Sequence, residues 1–123
     1  GESFDGITSM AIQEDGKIVA VGYSYGATHS DFGIARYNID GSLDNTFSLD
    51  GKLVFDYDTT FSIPYSVVVQ ADNKIVVGGF ATLNDTSIAD CFALARLNAD
   101  GSLDDGFGDG GIIKLYILLL NIM

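Results

Sequence analysis

Positive charge is scarce in this sequence. Six Lys and Arg residues stand against seventeen Asp and Glu residues, which gives a formal net charge of −11 at pH 7. An acidic surface repels phosphate groups, so we expect neither nucleic acid nor an anionic membrane surface as a partner. Long hydrophobic runs are also lacking. The longest candidate, residues 112–123, is interrupted by Lys114 and Asn121 and is shorter than the roughly 18 apolar residues of a spanning helix, so we expect no membrane span.

Cysteine and histidine are nearly absent, which removes several kinds of chemistry. The single Cys91 excludes an intramolecular disulfide, lies beside Phe92 in an apolar pattern and is predicted to be a small buried residue. The single His29 lies in a polar loop without another His or Cys nearby, so it is predicted to be a surface residue. Nucleophile-elbow and phosphate-loop patterns are missing as well. We therefore predict a protein that is not an enzyme and that binds no cofactor.

The most informative feature is a turn that occurs twice. The pattern Asn-x-Asp-Gly-Ser-Leu-Asp spans residues 38–44 and again residues 98–104, which we call the first and second signature turns. Arg36 precedes the first turn and Arg96 the second, 60 residues later. A repeat of this length indicates two copies of one supersecondary unit. The turn residues with a predicted structural role are Asn38, Asp40, Gly41, Asp44, Asn98, Asp100, Gly101 and Asp104.

Each unit is predicted to contain four short strands. In the first unit, Asp15-Gly16 precedes an apolar β-branched run and suits a type I′ hairpin turn, in which both central residues need positive φ. Asn73 takes the place of Gly16 in the second unit and tolerates the same left-handed geometry. No helical periodicity is present. The predicted fold is all-β, with two four-stranded antiparallel repeats resembling propeller blades, at residues 1–60 and 61–123 of one domain.

The repeat resembles the delta-60 repeat family, whose units combine a DGKIVVAG strand with a DFALARYNADGSLDxTFG turn. The resemblance spans about residues 8–113. In the first unit the matching segments are residues 15–19, 31–32, 35–38, 40–44 and 46–47. The resemblance implies a β-propeller-like repeat of bacterial secreted or surface proteins, so we expect an extracellular or cell-surface location. It implies no activity and no catalytic residues.

Two repeats are fewer than the roughly four to eight blades of a closed propeller. We therefore expect a two-blade chain either to self-associate or to be a fragment of a longer one, and the start at Gly1 rather than Met agrees with a chain that was processed or excised. We predict a structural protein whose apolar C-terminal strand joins copies head-to-tail, in a ring or in an open filament, and we favour the filament because the strand resembles a donated strand. The residues predicted to mediate self-association are Ile113, Leu115, Ile117, Leu118, Leu119, Leu120 and Ile122.

A lectin-like binding module is the alternative hypothesis. The loops at residues 23–30 and 82–90 differ between the two units and are polar, and Tyr25 offers a ring on which a sugar can stack. Such a module would recognise a glycan or a protein partner through these loops.

The acidic turns also permit a calcium hypothesis. Asp100, Asp104, Asp105 and Asp109 fall within ten residues, and oxygen-rich loops bind Ca²⁺. Their spacing is not that of an EF-hand, and Asp is common in tight turns for conformational reasons. We therefore favour a structural role and keep Ca²⁺ binding as the alternative.

Arg36 and Arg96 alternate with apolar residues in their strands, so each stem lies along an apolar face. A cation in such a place needs a partner. We predict that each pairs with carboxylates or carbonyls of its own signature turn, with Asp44 and Asp104 as the first choice, through charge-assisted hydrogen bonds. The alternative is an arginine that binds an anion.

Overall fold

The computed structural model describes residues 6–25, 30–55, 59–83 and 90–117. These residues form eight β-strands and contain no helix, and hence no helix of the length and apolarity needed to cross a membrane. The strands are β1 (Gly6–Ile12), β2 (Ile18–Tyr25), β3 (Ser30–Tyr37), β4 (Lys52–Phe55), β5 (Thr59–Val69), β6 (Ile75–Leu83), β7 (Asp90–Leu97) and β8 (Ile112–Ile117).

The strands form two four-stranded antiparallel sheets. Strands β1 to β4 pair in sequence order in the first sheet, and β5 to β8 pair in the same way in the second. Within the described ranges, the backbone pairing that links the sheets is one parallel bridge between Ser30 and Phe61. The predicted all-β fold of two blade-like repeats is confirmed, and the described residues form no closed sheet.

The hairpin turns differ from the predicted type I′ geometry. Gly16 has a φ of 87°, but Asp15 does not have positive φ. Gly16 N donates to Gln13 O at 2.9 Å and Gln13 N donates to Lys17 O at 2.8 Å, as in a type I turn followed by a left-handed residue. The type I′ prediction is therefore wrong. Because only the Gly16 position needs positive φ, Asn73 satisfies the same requirement in the second sheet with a φ of 69°.

The signature turns use this same geometry. In the first turn, Asn38 N donates to Ser42 O at 2.8 Å, and Gly41, with a φ of 90°, donates to Asn38 O at 2.9 Å. Asp40 Oδ1 accepts hydrogen bonds from the hydroxyl and the N–H of Ser42, at 2.6 and 3.0 Å, and these bonds lower the pKa of Asp40. The equivalent bonds recur in the second turn. The Asn, Asp, Gly and Ser of the pattern thus each have a conformational role.

Cross-strand pairing divides each sheet into two faces, because residues paired across strands point to the same side. We call the side that carries Arg36 or Arg96 the arginine face and the opposite side the alanine face. Pairs on the arginine face are Val19–Arg36 and Val21–Ile34 in the first sheet, and Val76–Arg96 and Gly78–Leu94 in the second. Pairs on the alanine face are Ala20–Ala35 in the first sheet, and Ile75–Leu97 and Val77–Ala95 in the second.

The core lies where the arginine face of the first sheet packs on the alanine face of the second. The core residues that are 0 % exposed include Val19, Val21, Phe32 and Ile34 from the first sheet and Ile75, Val77, Ala93, Ala95 and Leu97 from the second. The approach is close, since a Cβ added to Gly79 would lie 2.7 Å from Cζ of Phe32. Thr8 Oγ1 also donates to Pro64 O across the sheets, at 2.6 Å. The two sheets therefore stack face to face.

Candidate functional site

The first signature turn ends on a buried carboxylate that binds two cations. Asp44 is 2 % exposed, and its Oδ2 accepts hydrogen bonds from Arg36 Nε at 2.8 Å and from Lys17 Nζ at 2.7 Å. Its Oδ1 accepts the hydroxyl and N–H of Thr46 at 2.6 and 3.0 Å. The guanidinium also lies 4.9 Å from the centroid of the Phe47 ring. We call these five residues the first clamp, and it contains the predicted Arg36–Asp44 pair.

Burial and hydrogen bonding have opposite effects on the pKa of Asp44. Burial alone would raise its pKa, but the hydrogen bonds from Lys17, Thr46 and Arg36 outweigh burial and hold the pKa of Asp44 well below its ordinary value. The carboxyl is therefore ionised at neutral pH. A buried carboxylate is tolerated only while its donors remain in place, so this arrangement suits a structural anion rather than an acid that exchanges protons.

The second clamp repeats the first on Asp104. Asp104 Oδ2 accepts hydrogen bonds from Arg96 Nε and Lys74 Nζ, both at 2.8 Å, and Oδ1 accepts Gly106 N at 3.1 Å. The Arg96 guanidinium lies 4.6 Å from the centroid of the Phe107 ring. The hydrogen bond from Lys74, followed by those from Gly106 and Arg96, lowers the pKa of Asp104 to about 2. The predicted Arg96–Asp104 pair is thus present as well.

The two clamps differ in the further hydrogen bonds and in the solvent exposure of their arginines. Arg36 Nη1 donates to Ala99 O in the second signature turn at 2.6 Å, so the first clamp is bonded to the second sheet. Arg96 makes no comparable bond to the described residues. The side chain of Arg36 is 7 % exposed and that of Arg96 is 26 % exposed. The guanidinium of Arg36 is therefore buried between the two blades, whereas that of Arg96 is open to solvent on one side.

The candidate calcium ligands do not converge. In the part of the chain that the structure describes, no group of three or more His, Cys, Asp or Glu residues is placed to hold a metal ion. Both oxygens of Asp104 accept hydrogen bonds inside the second clamp, and Asp100 Oδ1 accepts those of Ser102. Asp105 and Asp109 are exposed. The calcium hypothesis gains no support from this geometry.

The residues predicted to mediate self-association lie on β8 and beyond it. Ile113 and Leu115 project from the arginine face of the second sheet and are 37 % and 60 % exposed. With Phe92 and Leu94 they line an apolar depression of about 340 Å³. The side chain of Ile117 and all of Leu118, Leu119, Leu120 and Ile122 lie outside the described residues. The exposed part of β8 therefore belongs to a wider apolar surface.

A groove of about 820 Å³ is lined by residues between 45 and 54, which follow the first signature turn, and by residues 100–103 of the second. Its polar lining includes Asn45, Thr46, Ser48, Asp100 and Ser102. Residues 26–29 and 84–89, within the loops that the lectin hypothesis uses, lie outside the described residues, as does the side chain of Tyr25.

A comparison with known protein families matches the segments that contain the hairpin turns and the clamps. Residues 13–47 and 70–107, together more than half of the chain, match the family described as "Domain of unknown function (DUF5122) beta-propeller". The chain belongs to this beta-propeller family. Each matching segment runs from the Gln before a hairpin turn to the Phe of a clamp, so each sheet is one blade. No curated protein and no solved structure matches the chain.

The lysines of the clamps were missed by the sequence-based interpretation of the blades. Lys17 and Lys74 follow the hairpin turns and reach the carboxylates of Asp44 and Asp104 across the blade. A signal was available, because both lysines follow a similar turn at equivalent positions of the two units. The bond from Arg36 to the second blade was missed too, since repeat spacing does not specify how blades stack.

We predict that Arg36→Ala destabilises the chain more than Arg96→Ala. The first change removes one of the two cations from a carboxylate that is almost fully buried, together with the bond to Ala99 O, at a cost of about 3 kcal/mol. The second acts on Asp104, whose side chain is 11 % exposed against 3 % for Asp44, and among the described residues it removes no bond to the other blade, so its cost should be smaller. Urea denaturation at one fixed, dilute protein concentration measures both, with Arg36→Lys as the control that keeps the cation. Equal effects of the two alanine variants, or no loss for Arg36→Ala, would contradict a structural role for the first clamp.

We predict that acid weakens the blades through the clamp carboxylates. The folded-state pKa of Asp104 is about 2, below its ordinary value of 3.8, so its stabilisation is complete above pH 4 and is lost as the pH falls toward 2. Thermal unfolding of the wild type and of Asp104→Asn, measured between pH 2 and pH 7, checks this. The gap in Tm should be widest above pH 4 and should narrow toward pH 2; a gap independent of pH would refute it.

Proposed function

We propose that this chain is a non-enzymatic structural protein, an extracellular or cell-surface pair of delta-60-like propeller blades that associates head-to-tail with further copies. The observation that carries the proposal is a difference between equivalent apolar residues. Several residues that face the neighbouring blade are buried while their counterparts at the two ends of the pair are exposed, although Ala20 and Ala35 on the alanine face of the first blade are only 1 % exposed. Each end therefore presents one half of the interface that already joins the blades.

The arginine face supplies the first comparison. Phe32 and Ile34 of the first blade are 0 % exposed because the second blade covers them. Their equivalents Phe92 and Leu94 are 55 % and 38 % exposed. Contiguous apolar surface of this kind marks interaction sites in soluble proteins. The second blade thus offers an arginine face of the same composition, with nothing from the described residues on top of it.

The alanine face supplies the second comparison. Val67 on β5 is 7 % exposed against the first blade, whereas its equivalent on β1, Met10, is 64 % exposed. Ile12, at the position of the partly buried Val69, is 74 % exposed. In a stack that repeats the internal interface, Met10 of one copy would lie over the apolar depression beside Phe92 of the next.

Such a contact joins two different surfaces, so it is heterologous. Heterologous contacts close into a ring when the rotation between subunits permits and otherwise extend into a filament. Because Ile113 and Leu115 are exposed on the arginine face of the second blade, β8 would be part of this contact, and the apolar C-terminal strand would have a role in face stacking. Donation of the strand to another sheet would be a different use of the same residues.

We predict that the wild-type chain associates as its concentration rises and that one charge on either face prevents this. Leu94→Asp alters the arginine face and Met10→Asp the alanine face, so each variant alone should be monomeric by sedimentation velocity. A mixture of the two should form a dimer that grows no further, because each variant keeps one intact face. Leu49→Asp is the matched control, since Leu49 is 92 % exposed in a turn outside both faces and has a φ of 72°, which Asp tolerates.

A wild-type chain that stays monomeric at all accessible concentrations would refute the proposal. The assignment of the faces would be refuted if Leu94→Asp and Met10→Asp still assembled. It would also be refuted if Leu49→Asp alone abolished assembly.

A lectin-like module is the second candidate, supported by the groove of about 820 Å³, whose mainly apolar lining also carries polar side chains. Hydroxyl, amide and carboxylate groups beside apolar side chains are the groups that a sugar needs. Under this hypothesis, glycan-array binding should be present and should be lost in Asn45→Ala, which removes an exposed amide of the groove. Binding that is absent, or unchanged in this variant, would favour the structural assignment.

A further inference from the structure

The interface between the two blades has a polar part beside its apolar core. Arg36 Nη1 donates to Ala99 O at 2.6 Å, and Ser48 N donates to Asp100 O at 2.8 Å. Gly101 fits closely here, because an added Cβ would lie 2.9 Å from Ser48 N. The second signature turn is thus held by two donors of the first blade. We call this arrangement the polar latch.

The second blade carries the same two donors, and neither has an acceptor among the residues that the structure describes. Arg96 Nε is bound to Asp104, but Arg96 Nη1 has no partner among the described residues, and the same is true of the N–H of Gly108. Gly108 follows Phe107 as Ser48 follows Phe47, and its φ of 59° is close to the 51° of Ser48. Positive φ at Ser48 is uncommon for a residue other than glycine, and it accompanies the bond to the second blade. Gly108 therefore shares the positive φ of Ser48, although the two turns continue differently, with Asp50 N bound to Ser48 O and Asp109 N bound to Ile112 O.

The first signature turn carries the matching acceptors. Its Ile39, Asp40 and Gly41 occupy the positions of Ala99, Asp100 and Gly101, 60 residues earlier. Ile39 O and Asp40 O accept no hydrogen bond from the described residues. Ile39 is 76 % exposed, and a Cβ added to Gly41 would meet nothing within 4 Å. The space that Ser48 fills beside Gly101 is open beside Gly41.

Charge complementarity points to a second copy as the occupant. Hydrogen bonds from Ser102 lower the pKa of Asp100, and the charge of Arg36 across the latch lowers it further. The pKa of Asp40 is lowered by Ser42 alone among side chains, without any contribution from an arginine. The open turn is thus an acidic site that no arginine of the described residues approaches, and the second blade holds an arginine whose side chain is 26 % exposed.

We propose that Arg96 and Gly108 of one copy hold the first signature turn of a second copy, with Arg96 Nη1 donating to Ile39 O and the N–H of Gly108 donating to Asp40 O. This inference rests on the proposed head-to-tail stacking and adds its register. Apolar faces can slide over one another, whereas two hydrogen bonds between fixed backbone positions allow one alignment. The polar latch between copies would therefore align the first blade of one copy on the second blade of the other, in the same way that it aligns the two blades within one chain.

Hydrogen exchange of the wild-type chain tests the latch without any substitution. The amide of Gly108 should exchange rapidly in dilute samples and slowly in concentrated ones, because its acceptor comes from another molecule. The amide of Ser48 is the internal control and should be protected at every concentration, since its acceptor lies in the same chain. Amide exchange followed by NMR or mass spectrometry across a dilution series distinguishes the two.

Two substitutions test the side chains. Arg96→Lys keeps a cation for Asp104 but removes Nη1, and loss of one charged hydrogen bond should weaken association by about tenfold to a hundredfold. Asp40→Asn keeps the oxygen that accepts from Ser42 while removing the charge, and it should weaken association by a smaller factor and reduce its dependence on salt. Asp100→Asn is the matched control, because Asp100 faces the latch inside the chain, and it should leave the dissociation constant unchanged.

The outcomes separate the latch from the stacking. Association of the wild type with a concentration-dependent Gly108 amide and a weakened Arg96→Lys variant would support both. Association with unchanged Gly108 exchange and an unaffected Arg96→Lys variant would overturn the latch and leave the stacking in place. A wild type that never associates would overturn the stacking and, with it, the second copy as the occupant of the turn.

Discussion

The structure of the first blade depends on the ionised carboxylate of Asp44, which is almost fully buried. Asp44 can remain charged there only because Arg36, Lys17 and Thr46 all donate to it. This requirement ties together three parts of the blade, namely the hairpin turn that carries the lysine, the strand that carries the arginine and the signature turn itself. Because the same set recurs around Asp104, the clamp is a property of the repeat rather than of one location.

Arg36 extends this local requirement to the stacking of blades. Its Nε bonds the carboxylate of its own blade and its Nη1 bonds the turn of the next, so folding of the clamp also positions the donor for the neighbour. A repeat built in this way has two unlike ends. One end carries the open guanidinium of Arg96 and an uncovered Phe92, and the other carries an open turn and the exposed Met10. The difference between the two ends of the pair reflects the two bonds of Arg36, one to its own blade and one to the next blade.

The sequence was sufficient for features that are local or that repeat. The Arg36–Asp44 pair could be predicted because its members lie within one unit and recur together 60 residues later. Lys17 was missed because its approach to Asp44 depends on the strand register. The type I′ prediction failed because Asp-Gly occurs in both two-residue and three-residue hairpin loops. The contrast between buried Phe32 and exposed Phe92 could not be predicted, since the residues are identical and only the covering blade differs.

Under the proposed stacking, copies meet through the same two faces that join the blades within one chain. An electron cryo-microscopy reconstruction of the assembled particle tests it most directly. We predict that the rotation and spacing between the second blade of one copy and the first blade of the next match those between the two blades of a single chain, with Arg96 against the turn at residues 39–41. A particle whose copies are joined instead by strand pairing along the outer edge of β8 would contradict the account.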